Sequence, residues 1–245
     1  MSGFIRSIVL VYFFSQGFLL NAEGIVHHEL TVRVEPDKHY IHVLDEITLP
    51  EIPVNQLTFE LHKNFKITPL NKRTIVRKIN DSNDGITQTY FLIHPIGSKK
   101  VAILYEGKIN HPIESVGKER SRGFNTTLGI ISEHGVYLSG SSYWVPHFEN
   151  TMLTFSLKTN LPLKWSSVSQ GREKESTKLD KSINHWEETN PEQEIYLIAA
   201  PFITYEKQFG QTQTLVYLRK RDDNLASKYL ESTVLYLEMY EKLLG

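Results

Sequence analysis

From His27 to Leu218 the chain mostly alternates apolar and polar residues, the period of two expected of strands with one buried face. In His28–Val34, Leu30, Val32 and Val34 share one face while Thr31 and Arg33 take the other. Pro36-Asp37 reads as a turn, and Tyr40–Leu49 resumes the pattern with Ile41, Val43, Ile47 and Leu49. Pro50 and Pro53 end that strand, because proline has no N–H to give a ladder. The same pattern predicts strands over Gln56–His62, Lys66–Leu70, Thr74–Ile79, Thr87–His94 and Lys100–Gly107. It returns in Met152–Thr159, Trp165–Ser169, Ile195–Ala199 and Thr214–Leu218. Residues 108–129 show no period and read as a surface loop, and residues 171–184 as a charged, solvated hairpin region.

One segment has helical spacing. Over Asp222–Leu244, Leu225, Tyr229, Thr233, Tyr236, Tyr240 and Leu243 form a stripe, with Leu230, Val234, Leu237 and Leu244 beside it. Asp222 and Asp223 suit the helix N-terminus and Gly245 the position after its end. The expected fold is therefore mainly β, an antiparallel curved sheet or β-sandwich followed by a C-terminal strand and one long amphipathic helix.

Composition narrows the class. With 40% hydrophobic and 22% charged residues the chain can bury a core, and its net charge of −1 carries no basic patch for nucleic acid. There is no cysteine, which excludes disulfides, thiolate nucleophiles and Cys-ligated metals. Arg6, the apolar run Ser7–Leu20 and small Ala22 have the layout of a signal peptide over residues 1–22, predicting an exported, periplasmic or secreted protein, with an uncleaved anchor as the alternative. Asn80-Asp-Ser82 and Asn125-Thr-Thr127 match the glycosylation pattern, which matters only in a eukaryotic secretory path.

Familiar catalytic patterns are absent from the sequence. His27-His28-Glu29 has no second histidine four residues on, and neighbours on a strand point to opposite faces. The same holds for His39 and His42. Glu133-His134 with Ser139, Ser141 and Ser142 lacks the G-x-S-x-G elbow of a serine hydrolase, and no phosphate-cradling glycine loop occurs.

Three segments carry a resemblance. Ile195–Phe209 (IYLIAAPFITYEKQF) and the run TLVYLRKRDDNLASKYLESTVLYLEMYEKLLG resemble the junction in aminopeptidase N-like zinc metallopeptidases between the N-terminal β-domain and the catalytic domain. Gly129–Phe148 (GIISEHGVYLSGSSYWVPHF) and Leu161–Gly171 (LPLKWSSVSQG), with Trp186 and Pro191–Ala200, resemble earlier parts of the same β-domain. The resemblance implies a β-domain over residues 23–205 and the beginning of a catalytic domain over 206–245. The family's HExxH and GxMEN motifs do not occur in this sequence.

The resemblance also carries implications for chemistry. Zinc is expected in a full-length family member and no cofactor in this chain, which alone should cleave nothing. Peptide substrate is expected only with a catalytic domain present, and the terminal helix should leave an apolar face open to self-association. In the family, the loop matching Tyr137–Pro146 reaches toward the zinc site and often offers Gln or Glu to the substrate amine. Here Ser139-Gly-Ser-Ser142 stands instead, followed by Tyr143 and Trp144. Ser141, Ser142 and Tyr143 are the candidate substrate-binding residues, through hydroxyls that orient a polar group and a ring that stacks. The alternative at this loop is structural, with Gly140 making a tight turn and Trp144 plugging the core. At the level of the whole chain, a stand-alone secreted β-sandwich module and an interaction subunit stay open.

Overall fold

The alternating segments close into stacked sheets that share one hydrophobic core. The computed structural model describes residues 24–50, 56–81, 85–116, 124–174 and 183–244. The expected signal peptide, residues 1–22, lies outside the described residues. Among the described residues the chain forms eighteen strands and one long helix. The first nine strands are β1 (Ile25–Glu35), β2 (Tyr40–Thr48), β3 (Gln56–His62), β4 (Lys66–Pro69), β5 (Ile75–Asp81), β6 (Thr87–Ile93), β7 (Lys100–Lys108), β8 (Glu114–Val116) and β9 (Phe124–Thr126). They are succeeded by β10 (Ile130–Ser132), β11 (Gly135–Leu138), β12 (Met152–Asn160), β13 (Ser166–Val168), β14 (Arg172–Lys174), β15 (Ile183–Glu192), β16 (Leu197–Ala200), β17 (Ile203–Phe209) and β18 (Thr212–Leu218). The helix α1 (Asp223–Leu244) closes the described chain.

Seven strands build the main sheet, in the order β14-β15-β12-β1-β2-β7-β4. All its neighbours are antiparallel except β1 and β12, which run parallel from Ile25 opposite Met152 to Arg33 opposite Asn160. A four-stranded sheet (β10-β11-β16-β13), a three-stranded sheet (β3-β6-β5) and the hairpins β8-β9 and β17-β18 complete the fold. The expected mainly β, antiparallel architecture with one C-terminal helix is what the chain adopts. Strands also form where alternation is weak: β8 and β9 lie in the segment expected to be loop, and β15 buries only Asn184, Trp186 and Glu188 among polar neighbours. No described helix is long and apolar enough to cross a membrane.

The core joins Leu30, Val32, Ile41 and Val43 of the main sheet to Phe59, Leu61 and Leu92 of the three-stranded sheet and Ile131, Leu138 and Leu197 of the four-stranded one. Among the buried polar positions of the main sheet are His28 and Asp45, which face each other. His28 Nδ1 lies 2.9 Å and 3.2 Å from the two Asp45 carboxylate oxygens, and both residues are fully buried. Each supplies the partner that the other needs out of water, so removing either should cost ~3–5 kcal/mol. Burial, with Asp45's charge second, raises the phenol of nearby Tyr105 well above its ordinary range.

A second histidine contact ties the three-stranded sheet to the chain beyond β7. The Asn64 N–H donates to His62 Nδ1 (3.2 Å), so neutral His62 carries its proton on Nε2 and gives it to His111 Nε2 at 2.9 Å. His62 is fully buried, and burial, then His111 and Lys63, push its imidazole from 6.5 down to about 4.

Helix α1 starts where the sequence places it. Asp222 Oδ1 accepts the Leu225 N–H at 2.9 Å, satisfying one of the free donors at the helix start. The helix rests on β17 and β18 and buries only Ala226 and Leu230. Tyr229, Leu235, Tyr236, Tyr240 and Leu243 are exposed.

His62 and α1 each lead to a measurable outcome. A base whose native pKa is lowered binds its proton more readily unfolded, so stability should fall as pH drops from 6.5 to about 4 and be insensitive to this group above 6.5. Urea unfolding at half-unit pH steps should show that slope in the native sequence and a clearly shallower one in His62→Gln; equal slopes would refute the assignment. A chain ending at Arg221 should melt close to the full chain, and we expect it to scatter less light, because the removed segment buries two side chains and exposes many apolar ones. A much lower melting temperature would show that α1 belongs to the core.

Candidate functional site

The loop after β11 is shaped by its own serines. Ser139 leaves β11 extended, Gly140–Ser142 make one turn of 3-10 helix, and Tyr143 takes a left-handed conformation (φ 47°, ψ 40°) before the chain plunges into the core at Trp144. The Ser142 hydroxyl donates to the Ser139 carbonyl at 2.5 Å and accepts the Ser139 N–H at 3.0 Å. Ser142 is thus turned inward and fully buried. Ser141 is exposed, with its hydroxyl 2.8 Å from that of Ser139. Tyr143 is half-buried, its ring edge-on to His147 at 6.1 Å, and its carbonyl accepts the His62 N–H at 2.8 Å. Of the three sequence candidates, Ser141 is exposed, the Tyr143 ring is half-buried against His147, and Ser142 builds the turn.

Trp144 fixes the far end of the loop. Its indole N–H donates to the Ile195 carbonyl at 2.9 Å, and the ring is 1% exposed. The core-plug reading of Trp144 describes this placement.

Sequence reasoning missed the group that holds the turn from outside. Glu194, just before β16, accepts the Gly140 N–H on Oε2 at 2.5 Å and the Tyr196 hydroxyl on Oε1 at 2.9 Å. That second bond, with burial adding to it, raises the Tyr196 phenol above its usual value. Gln170 clamps the same strand end, donating to the Glu194 carbonyl at 3.0 Å and accepting the Tyr196 N–H at 2.8 Å. A carboxylate therefore stands against the serine turn although none lies within it. Its 54-residue separation from Gly140 leaves no local signal in the sequence. Gly140 allows the approach: a Cβ there would lie 2.7 Å from Glu194 Oε2 and 2.9 Å from its Cβ.

The histidines take separate duties. His27 bonds Thr154 Oγ1 on the face opposite His28, and burial lowers its pKa. His39 donates to the Ile131 carbonyl at 2.6 Å. His42 contacts Glu35 through Nε2 and Glu106 through Nδ1, on opposite sides of its ring. His134 is exposed, and no hydrogen bond joins it to Ser139, Ser141 or Ser142 among the described residues. No three His, Asp or Glu side chains converge as metal ligands among the described residues.

No protein-family model and no curated protein matches the sequence. Solved structures do match the fold. The aminopeptidase N family protein of Idiomarina loihiensis is similar with a TM-score of 0.55 at 10% identity, over 85% of this chain and 35% of that one. An M1 zinc metallopeptidase of Deinococcus radiodurans, solved with a Tyr-Ser-Ala substrate, is similar at 0.49 and 14% identity, over 77% and 45% of the two chains. Yeast LTA4 hydrolase, solved with bestatin, is similar at 0.47 and 12%, over 73% and 29%. The chain thus shares the fold of a region of the Idiomarina loihiensis protein and spans about a third of its length.

Because Glu194 has no room for a Cβ at position 140, Gly140→Ala should lower stability by about 1–3 kcal/mol. Glu194→Gln keeps an acceptor and should cost under about 1 kcal/mol, and Glu194→Ala should resemble Gly140→Ala. Denaturant midpoints of the three variants test this; a Gly140→Ala chain as stable as the parent would show that the contact is dispensable.

Proposed function

We propose that this chain is the β-rich, non-catalytic N-terminal portion of an exported zinc metallopeptidase of the aminopeptidase N type, whose Ser139–Tyr143 loop shapes the substrate entrance. The fold likeness to the aminopeptidase N family protein over 85% of the chain carries the reading. The three resembling segments, which stand in family order, support it, and Arg6 with the apolar run to Ala22 supports export.

In such an enzyme zinc supplies the Lewis acid that activates water. The described residues do not fit that ion. His28 is committed to Asp45 and His62 to His111, and no three ligating side chains meet. No step of hydrolysis is therefore assigned to this chain. Its contribution is recognition: the exposed Ser141 hydroxyl meets a polar substrate group, and the Tyr143 ring packs against a side chain. The hydrogen bonds around Ser142, Gly140 and Trp144 hold both in place before any ligand arrives.

The reading frame beyond codon 245 is the decisive observation. Continuation into GxMEN and HExxH supports the proposal, whereas an immediate stop favours a module that binds in its own right. The purified 245-residue chain should not hydrolyse aminoacyl anilides with or without added zinc, and chelator-sensitive turnover would overturn its non-catalytic assignment. In the protein encoded by a continuing frame, Ser141→Ala and Tyr143→Ala should raise KM about three- to tenfold with kcat within about twofold, the signature of lost uniform binding. Unchanged KM in both variants would remove the loop from the entrance.

A further inference from the structure

The four-stranded sheet turns one face to the core and the other to a cleft of about 490 Å³, within the size range of ligand pockets. Ile130, Tyr137 and Ile198 are cross-strand partners and so share the outer face, where they form the floor. Phe202, braced edge-on by Tyr217 at 5.7 Å, and exposed Ile113 are apolar walls. One further wall is polar, lined by Asn125, Thr126 and Thr127, with the Thr127 hydroxyl already engaged by the His111 carbonyl and the Gly129 N–H.

Arg219, just after β18, and His134, in the turn between β10 and β11, line the cleft, and among the described residues no Asp or Glu does. Gly135 gives the guanidinium its place, since a Cβ there would lie 3.3 Å from an Arg219 terminal nitrogen. Arg221 is paired with Asp223, but among the described residues no carboxylate pairs with Arg219, so its fork of donors is available to an incoming one.

We infer that this cleft binds the C-terminal end of a short apolar peptide. The α-carboxylate pairs with Arg219, the final side chains lie on Ile130, Tyr137 and Ile198, and the peptide amides meet the Asn125–Thr127 wall. An alkyl carboxylate satisfies the floor and the guanidinium but leaves that polar wall unused, which favours a peptide. Every wall belongs to this chain, so the inference stands apart from the peptidase reading.

Calorimetric titration of the 245-residue chain tests it, with N-acetyl-Leu-Leu, its C-terminal amide and decanoate as probes. The free acid should bind, and the amide should bind at least about tenfold more weakly, the difference expected for one charged hydrogen-bonded contact. Arg219→Gln should lose a similar factor for the acid and little for the amide, and Arg219→Lys should recover part of it. Arg219 is exposed, so these variants should keep the parent's thermal melt, which serves as the folding control. Equal binding of acid and amide, indifference to Arg219→Gln, binding of decanoate as tight as the peptide acid, or no binding of any probe would each overturn the proposal.

Discussion

Strand β1 is hydrogen-bonded along both edges, antiparallel to β2 and parallel to β12, and the second pairing dictates the path of the chain. Antiparallel neighbours can be joined by a tight turn, as β1 and β2 are at Pro36–Lys38. Parallel neighbours need a long return, and here it runs from the end of β2 to Met152. That return builds the three-stranded sheet, adds β4 and β7 to the main sheet, and goes on to the β10–β11 pair, whose inner faces complete the core. The serine loop comes directly after β11, so it is carried on an element that the sheet topology obliges to exist.

Within the loop, rigidity comes from polar groups satisfying one another at close range. Ser142 commits its hydroxyl to the backbone of Ser139, Glu194 commits a carboxylate oxygen to the Gly140 N–H, and Trp144 seals the end with its indole N–H on Ile195. A turn fastened at three points presents Ser141 and Tyr143 with little freedom left to lose on binding. The same fastening explains why the chain tolerates a left-handed Tyr143: its carbonyl is held by His62 and its successor is buried.

Much of this was legible in the sequence, for a physical reason. β1, β2, β7 and β12 alternate because one face of each is packed and the other wet, and a period of two records that directly. Helix α1 and its Asp222 cap are local features and equally readable. β15 escaped because its inward positions are Asn184, Trp186 and Glu188, a set without the usual apolar signature. The Glu194–Gly140 contact that holds the site and the His62–His111 contact that ties the fold join residues 54 and 49 apart. Such pairs are products of topology, and single-sequence patterns carry no information about which distant strand ends meet.

The buried His28–Asp45 pair also constrains how β1 and β2 can be assembled. If β2 slid by two residues along β1 so that Asp45 came opposite Val32, every inward side chain would stay inward, but Asp45 would lie out of reach of His28 and each would be alone in the core. Hydrophobic residues on both strands would forgive some misalignment, since one Val or Ile substitutes for the next. A lone polar partner does not, so the pair acts as a keyed tooth between otherwise interchangeable edges and fixes which alignment of the first hairpin the rest of the sheet is built on.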